Sequence, residues 1–260
     1  WKELYKRLVY WELEMGKSDS TEMMEVLQTQ KTEANTEFFK YVSKYYTEWI
    51  KDAKGTGPLL SHKVFEKRIA PHLQQGKPTF LVVIDNLRLD HWKAFQPILS
   101  DSFRVLEDEL YYSILPTATQ YCRNALFAGM LPADIEKHFP LEWKNDDEDG
   151  GKNLHEETFL RNQLKHLKLD KLKTQYIKIT NNDNAKALED SIHNCLNNDL
   201  TVIVYNFVDM LSHARTEMEV LKELAGDEIS YRSLVVSWFE HSPLHRALRK
   251  IADKGIQILL

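Results

Sequence analysis

The sequence has few cysteines and no long apolar segment, and each shortage argues against a class of protein. Only Cys122 and Cys195 occur among 260 residues, which argues against a disulfide framework and favours a reducing compartment such as the cytoplasm. No run of about 18 apolar residues is present, so no membrane span is predicted. Glycine and proline number nine and eight, which excludes a collagen-like chain.

What is present is an ordinary globular composition. The 34 basic and 39 acidic residues give a formal net charge of −5, which argues against a wholly basic nucleic-acid surface but allows a local basic pocket. With 43% hydrophobic residues, the chain can bury one large core, with or without an appendage. It begins at Trp1 without a signal-peptide pattern, so we expect a piece of a longer protein.

The first part of the chain has the periodicity of two helices. Apolar and aromatic residues recur at helical spacing from Trp1 to Trp11 and again from Phe38 to Ile50. Asp19-Ser20-Thr21 is a helix-start signal, and Gly55 to Pro58 ends the second helix. The pattern predicts a helical docking or linker module within residues 1–75, whose aromatic face favours packing over ligand binding.

From Thr79 onward the pattern alternates between buried strands and amphipathic helices. The run from Thr79 to Asp85 is continuously apolar and β-branched, which is typical of a strand covered on both faces. Further predicted strands are Tyr111 to Leu115, Tyr176 to Thr180, Thr201 to Val208 and Ile256 to Leu260, and predicted helices include Leu154 to Leu167 and Asp183 to Cys195. This alternation predicts an α/β domain over residues 76–260, with a mainly parallel sheet sandwiched by helices.

Ligands of an open α/β sheet bind at the carboxyl ends of its strands, and two aspartates lie there. Asp85 ends one apolar run, and Asp209 ends another and has His213 four residues later. Carboxylate and imidazole at this spacing share a helix face and suit Zn²⁺. The alternative is that each aspartate caps the helix that follows it.

A hydroxyl group lies at a third such position. Thr119, with Thr117 before it, precedes a helix predicted from Gln120 to Ala128, where the helix dipole favours anions and where a nucleophile could sit. Arg123 and Asn124 are then placed to contact phosphate oxygens. The alternatives are that a threonine merely caps this helix and that Arg123 and Asn124 face solvent.

Four motifs resemble a known family. FLVVIDNLRLDHW, YYSILPTATQYCRNALFAG, FVDMLSH and SWFEHSPL are similar to the PglZ-type branch of the alkaline phosphatase superfamily, in particular to the effector region of PorX-type response regulators. The similarity extends over Thr79 to Leu260. It implies that residues 1 to about 75 are the helical linker of a two-component regulator, with a receiver domain upstream.

The resemblance also implies roles for individual residues. Two zinc ions would bracket Thr119 as nucleophile, with Thr117 as second choice. Asp85 and Thr119 would bind one zinc, and Asp209 and His213 the other. A phosphothreonine intermediate would then form during hydrolysis of a phosphomonoester or phosphodiester, such as a nucleotide. Arg123 and Asn124 would bind the substrate.

In this family the remaining metal ligands are an Asp-His pair after the next strand and one further His. The chain stops at Leu260 inside that predicted strand, so we expect the C-terminal part of the fold to be missing and this fragment to hold metals poorly. His155, His241 and His91 are conceivable substitutes. The first two are more typical of surface or packing positions, and the helix should turn His91 away.

Two functions remain in competition at this stage. The first is a cytoplasmic zinc-dependent phosphoesterase, in particular a phosphodiesterase, acting as the effector of a response regulator. The second is a non-catalytic effector that uses the same fold to bind a protein or a nucleotide. By family analogy, the helical module would relay a receiver signal or form a homodimer, and the regulated partner would belong to secretion or transcription.

Overall fold

The computed structural model describes residues 1–17, 21–52, 55–145 and 147–260. Two helices open the chain, α1 (Lys2–Met15) and α2 (Thr21–Ile50), and they pack against each other as the periodicity predicted. The predicted start signal at Asp19 and Ser20 lies outside the described residues, and α2 is described from Thr21 onward.

Helices and strands alternate along the rest of the chain. The helices are α3 (Ser61–Val64), α4 (Ala70–Leu73), α5 (Leu89–Leu99), α6 (Thr119–Ala128), α7 (Pro132–His138), α8 (Glu156–His166), α9 (Asn182–Ser191), α10 (Phe207–Glu217), α11 (Glu219–Leu224), α12 (Glu228–His241) and α13 (Pro243–Ala252). A π-helical turn, Phe65–Ile69, joins α3 to α4, and a 3-10 turn, Ile192–Cys195, follows α9. The strands are β1 (Thr79–Ile84), β2 (Thr174–Ile179), β3 (Leu200–Tyr205) and β4 (Gln257–Leu259).

The four strands form one parallel sheet in the order β2-β3-β1-β4. Tyr205 at the end of β3 is in register with Ile84 of β1 and with Ile179 of β2. The carboxyl ends of these three strands therefore lie side by side at one edge. The predicted parallel sheet and the N-terminal helical region are both confirmed.

Helices cover both faces of the sheet, which explains why β1 and β3 are apolar at nearly every position. Phe80, Val82 and Ile84 of β1 point to one face, where they pack with α5, α9, α12 and α13. Leu81 and Val83 point to the other face, where they pack with α4, α6 and α8 and with the π-helical turn. Side chains that alternate between two buried layers leave little room for polar groups in such a strand.

Two strand predictions differ from the structure. Tyr111 to Leu115 forms no sheet strand; Tyr112 makes only an isolated bridge with Leu60, and its ring packs 5.5 Å from that of Trp49. This segment therefore packs against α2 and the chain before α3 rather than against sheet neighbours, with Ile114 fully buried and Tyr111 and Leu115 49 and 47% exposed. The predicted strand ending at Val208 ends at Tyr205, because the chain turns into α10 and buries Val208 as a helical residue.

The aromatic face of the helical module is only partly used for packing. Phe38 and Tyr41 of α2 contact Trp1 with ring centroids 5.3 and 5.7 Å apart. Tyr5 and Trp11 of α1 remain 50% exposed. No helix among the described segments is long and apolar enough to cross a membrane.

The segment between the helical module and β1 belongs by packing to the α/β core. Phe65, Ile69 and Leu73 are buried in the same layer as α6 and α8. The predicted division of the chain after residue 75 stays a prediction, because shared packing shows contact and not which units fold independently.

Candidate active site at the carboxyl edge of the sheet

Two aspartates meet at the carboxyl edge because β1 and β3 are parallel neighbours. Asp85 directly follows β1 and donates its backbone N–H to the carbonyl of Tyr205 at 2.9 Å. Asp209 lies in the first turn of α10, just after β3. Burial raises the pKa of Asp85, Arg123 opposes this rise, and the negative charge of Asp209 adds to it. The charge of Asp209 therefore acts on Asp85 from the end of the neighbouring strand.

Thr119 faces Asp85. Its Oγ1 donates a hydrogen bond to Oδ1 of Asp85 at 3.3 Å. Thr119 is the first residue of α6, whose N-cap is Ala118 and has no side-chain cap. The hydroxyl is therefore directed at a carboxylate, at a helix N-terminus that favours anions. Thr117, the second choice, is exposed.

The capping alternatives are wrong for these residues. The N-cap of α5, the helix after Asp85, is Arg88. Asp209 is the third residue of α10 rather than its N-cap, which is Asn206. Neither aspartate nor Thr119 thus serves as a helix N-cap, although the charge of Asp209 in the first turn of α10 is favourable to the helix dipole.

Arg123 is held behind Asp85. Its Nη1 donates to Oδ2 of Asp85 at 2.7 Å and to Oδ1 of Asn206 at 3.1 Å, and its Nε donates to Glu156. Arg123 and Asn124 are 6% and 1% exposed, so the alternative that they face solvent is wrong. Because the guanidinium already pairs with two protein carboxylates, it holds Asp85 in place; a substrate contact by Arg123 stays a prediction.

Asn124 lies on the inner side of the same helix. Its Nδ2 donates to the carbonyl of Lys152 at 3.1 Å, which ties α6 to the chain before α8. Its Oδ1 is buried and has no hydrogen-bond partner among the described residues. Its predicted contact with a substrate is likewise untested.

Glu156 is the residue that the sequence analysis missed. It is 1% exposed and accepts hydrogen bonds from Arg123 and, at 2.8 Å, from the hydroxyl of Tyr176; Nζ of Lys178 lies 3.1 Å away. Tyr176 and Lys178 are two residues apart in β2, so their side chains share one face of the strand. That alternation of polar residues within TQYIKI was the available signal for a polar cluster.

Asp209 and His213 form a second, more open pair. Nε2 of His213 lies 3.7 Å from Oδ1 of Asp209, on one face of α10 as the spacing predicts. The His213 side chain is 68% exposed and that of Asp209 is 27% exposed. This pair can therefore accept a further group from solvent without any rearrangement of the core.

These donors fit zinc in chemical type but not in number. Carboxylate, hydroxyl and imidazole groups are suitable ligands, and they occur as two pairs. Across residues 1–17, 21–52, 55–145 and 147–260, no group of three or more His, Cys, Asp or Glu side chains could hold a metal ion. The described residues thus supply zinc with two partial ligand sets rather than a complete site.

Among the described residues, none of the histidines considered as substitute ligands completes a group that could hold a metal ion. His241 is exposed, and its Nδ1 is 2.9 Å from the carbonyl oxygen of Ser237. His91 is fully buried against the ring of Tyr231, with centroids 5.5 Å apart. His155 is the N-cap of α8.

A four-stranded parallel sheet flanked by helices, with a helical region before it, is consistent with an alkaline-phosphatase-like α/β fold. Residues 64–259 match the family described as the BREX system PglZ alkaline phosphatase-like domain, and the chain belongs to this family. Residues 1–50 match the PorX response regulator linker domain. The resemblance found in the four motifs is therefore confirmed. No curated protein matches the chain closely enough to count as a relative.

Proposed function

We propose that this chain is the phosphoesterase effector of a response regulator, with Thr119 as its nucleophile. The observation that carries the proposal is the hydrogen bond from Oγ1 of Thr119 to Asp85, 3.3 Å long, at the N-terminus of α6. Membership of an alkaline phosphatase-like family and a response regulator linker over residues 1–50 support it.

The chemistry follows from the positions of these groups. Oγ1 of Thr119 attacks phosphorus and passes its proton to the Asp85 carboxylate, which already accepts its hydrogen bond. The ester P–O bond breaks, the leaving oxygen takes up that proton and departs as an alcohol, and the phosphoryl group stays on Thr119 until water displaces it. The dipole of α6 favours the charged phosphate oxygens throughout. We propose a phosphoester as the substrate, in particular a phosphodiester, and we propose a nucleotide as one candidate.

Two zinc ions are the proposed cofactors. Asp85 with Thr119, and Asp209 with His213, would each hold one ion, together with ligands beyond these four residues. Bound zinc lowers the pKa of a coordinated hydroxyl or water toward neutrality and stabilises charge on phosphate oxygens. We also propose that a receiver domain lies upstream and that the helical module connects it to the α/β domain. The proposed location of the protein is the cytoplasm.

Replacing Thr119 by alanine in the complete, zinc-loaded protein tests the nucleophile. We expect hydrolysis of a chromogenic phosphodiester to fall on the order of 10³-fold or more. Thr117→Ala, two positions earlier at an exposed residue, should leave the rate within about twofold because the hydroxyl that donates to Asp85 is that of Thr119. Activity that survives Thr119→Ala and disappears in Thr117→Ala would transfer the role to Thr117.

A second candidate function has an observation of its own. Oδ2 of Asp85 is held by Arg123 at 2.7 Å, and the site donors among the described residues form pairs rather than complete ligand sets. These features suit an effector in which the fold binds a protein or nucleotide without reacting with it. Zinc-dependent hydrolysis that is undetectable in the intact protein, together with nucleotide binding that Thr119→Ala leaves unchanged, would favour this function.

A further inference from the structure

A row of buried ion pairs connects the helical module to the α/β domain. Glu12 of α1 accepts from Lys31 of α2 at 2.6 Å and from Nη2 of Arg232 in α12 at 2.9 Å. Nε of Arg232 then donates to Asp90 of α5, also at 2.9 Å. The side chains of Glu12, Arg232 and Asp90 are only 15, 8 and 6% exposed.

The row continues to the segments that carry the candidate site. Arg88 donates through Nε to Asp90 at 2.9 Å and also pairs with Glu228 of α12. Glu228 in turn accepts from Nη1 of Arg215 at 2.9 Å. Arg88 lies three residues after Asp85, and Arg215 lies in α10, two residues after His213. One connected set of charges therefore holds both halves of the candidate site.

Two of the helices that this network joins bury few side chains completely; in α10, Phe207 and Leu211 are partly buried against the core. Val9 is the one buried residue of α1, and Val208 is the one buried residue of α10. Elements with little buried apolar surface open locally at low free energy, so their positions depend on polar contacts. Burial would raise the pKa of Asp90, but hydrogen bonds from Arg88 and Arg232 hold it well below its ordinary value, and Asp90 stays ionised.

We infer that Glu12, Arg232 and Glu228 are positioning residues through which the helical module sets the placement of α10 and of the segment after Asp85. Buried ion pairs add little net stability because both ions lose hydration, but removing one partner leaves the other buried and unpaired. These ion pairs therefore tolerate little change in distance or direction. A shift of α1 must then also move α12 and the arginines that take part in the network. The inference goes beyond the proposed function and holds whether or not the site hydrolyses a phosphoester.

Hydrogen–deuterium exchange of the whole chain tests the inference. Glu12→Gln keeps the shape of the side chain but removes the charge that faces Arg232. We expect amide exchange in residues 86–99 and 207–217 to become faster on the order of threefold to tenfold, with β1 and β3 unchanged. The matched control is Glu37→Gln, which removes an exposed ion pair with Lys40 on α2 and should change neither segment.

Glu228→Gln provides an independent arm, because Glu228 is half exposed and its loss should not unfold the domain. It should accelerate exchange in residues 207–217 while leaving α1 unchanged. If Glu12→Gln accelerates exchange in α1 and α2 alone, the network only docks the helical module and the inference fails. Acceleration throughout the sheet, or no effect of Glu228→Gln on α10, would overturn it equally.

Discussion

Replacing Glu156 by glutamine removes the charge at the centre of the cluster behind Asp85. Arg123 and Lys178 are balanced by Glu156 and Asp85, so this cluster is formally neutral. Glutamine has nearly the same shape and can still accept hydrogen bonds. The substitution therefore isolates the charge and leaves a guanidinium that is 6% exposed with one carboxylate instead of two.

The magnitude follows from the burial of the partners. Breaking a buried ion pair by removing one partner costs about 3–5 kcal/mol, because the remaining charge has lost its hydration. Lys178 can relieve part of the imbalance, since its side chain is 24% exposed and can turn toward water. We therefore expect the free energy of unfolding to fall by about 3 kcal/mol, near the lower end of that range. This is a large fraction of the roughly 5–15 kcal/mol typical of a folded domain.

Urea denaturation, followed by tryptophan fluorescence and circular dichroism, measures the change. The matched control is Glu157→Gln at the next position. Glu157 pairs with Arg161 one helical turn later at 2.6 Å, with side chains 45 and 58% exposed. Such an exposed pair contributes about 0.3–0.5 kcal/mol. The two variants thus differ in the burial of the carboxylate rather than in the type of residue that is changed.

Equal losses of stability in the two variants would refute the reasoning. A loss below about 1 kcal/mol for Glu156→Gln would mean that water or a rotated side chain compensates Arg123. A change in the slope of unfolding free energy against urea would instead indicate an altered denatured or native state, and the comparison would then rest on thermal melting.

Two further predictions concern the fold. Gly129 ends α6 with φ of 67°, and a Cβ there would collide with Gln163, whereas Gly76 has φ of 71° with no atom within 4 Å of such a Cβ. Gly76→Ala should lower the free energy of unfolding, measured by urea denaturation, by about 1–2 kcal/mol. Gly129→Ala should lower it by at least about 1 kcal/mol more, because of the collision with Gln163. Equal losses in the two variants would show that the collision has no effect on stability. Burial lowers the pKa of His91 to about 4, so the unfolded chain takes up the proton first as the pH falls. The neutral, buried His91 therefore stabilises the fold above about pH 6.5, and this stabilisation is lost as the pH falls toward about 4. Between about pH 7 and 5 the loss in the free energy of unfolding is about 2 kcal/mol. His91→Phe should flatten the fall in melting temperature over this range and exposed His241→Phe should not; equal pH profiles for wild type and His91→Phe would contradict the assignment.

Local patterns in the sequence determined the parallel sheet and the residues to examine. Continuous apolar runs mark β1 and β3 because both faces of each strand are buried, and polar residues directly after such runs must lie at the carboxyl edge. The four-residue spacing of Asp209 and His213 likewise places both on one face of α10. These conclusions need only the geometry of a helix or a strand, which a short window of sequence contains.

Only the tertiary structure decided how the charges pair. Arg123 turns inward to Asp85 and Glu156, which are 38 and 33 residues away along the chain, and Glu12 meets Arg232 across 220 residues. Tyr111 to Leu115 has strand-like residues, yet it packs beneath α2 instead of joining the sheet. A local pattern shows which side chains need burial or a partner, but the partner is chosen by packing between distant segments, and that choice depends on the whole fold.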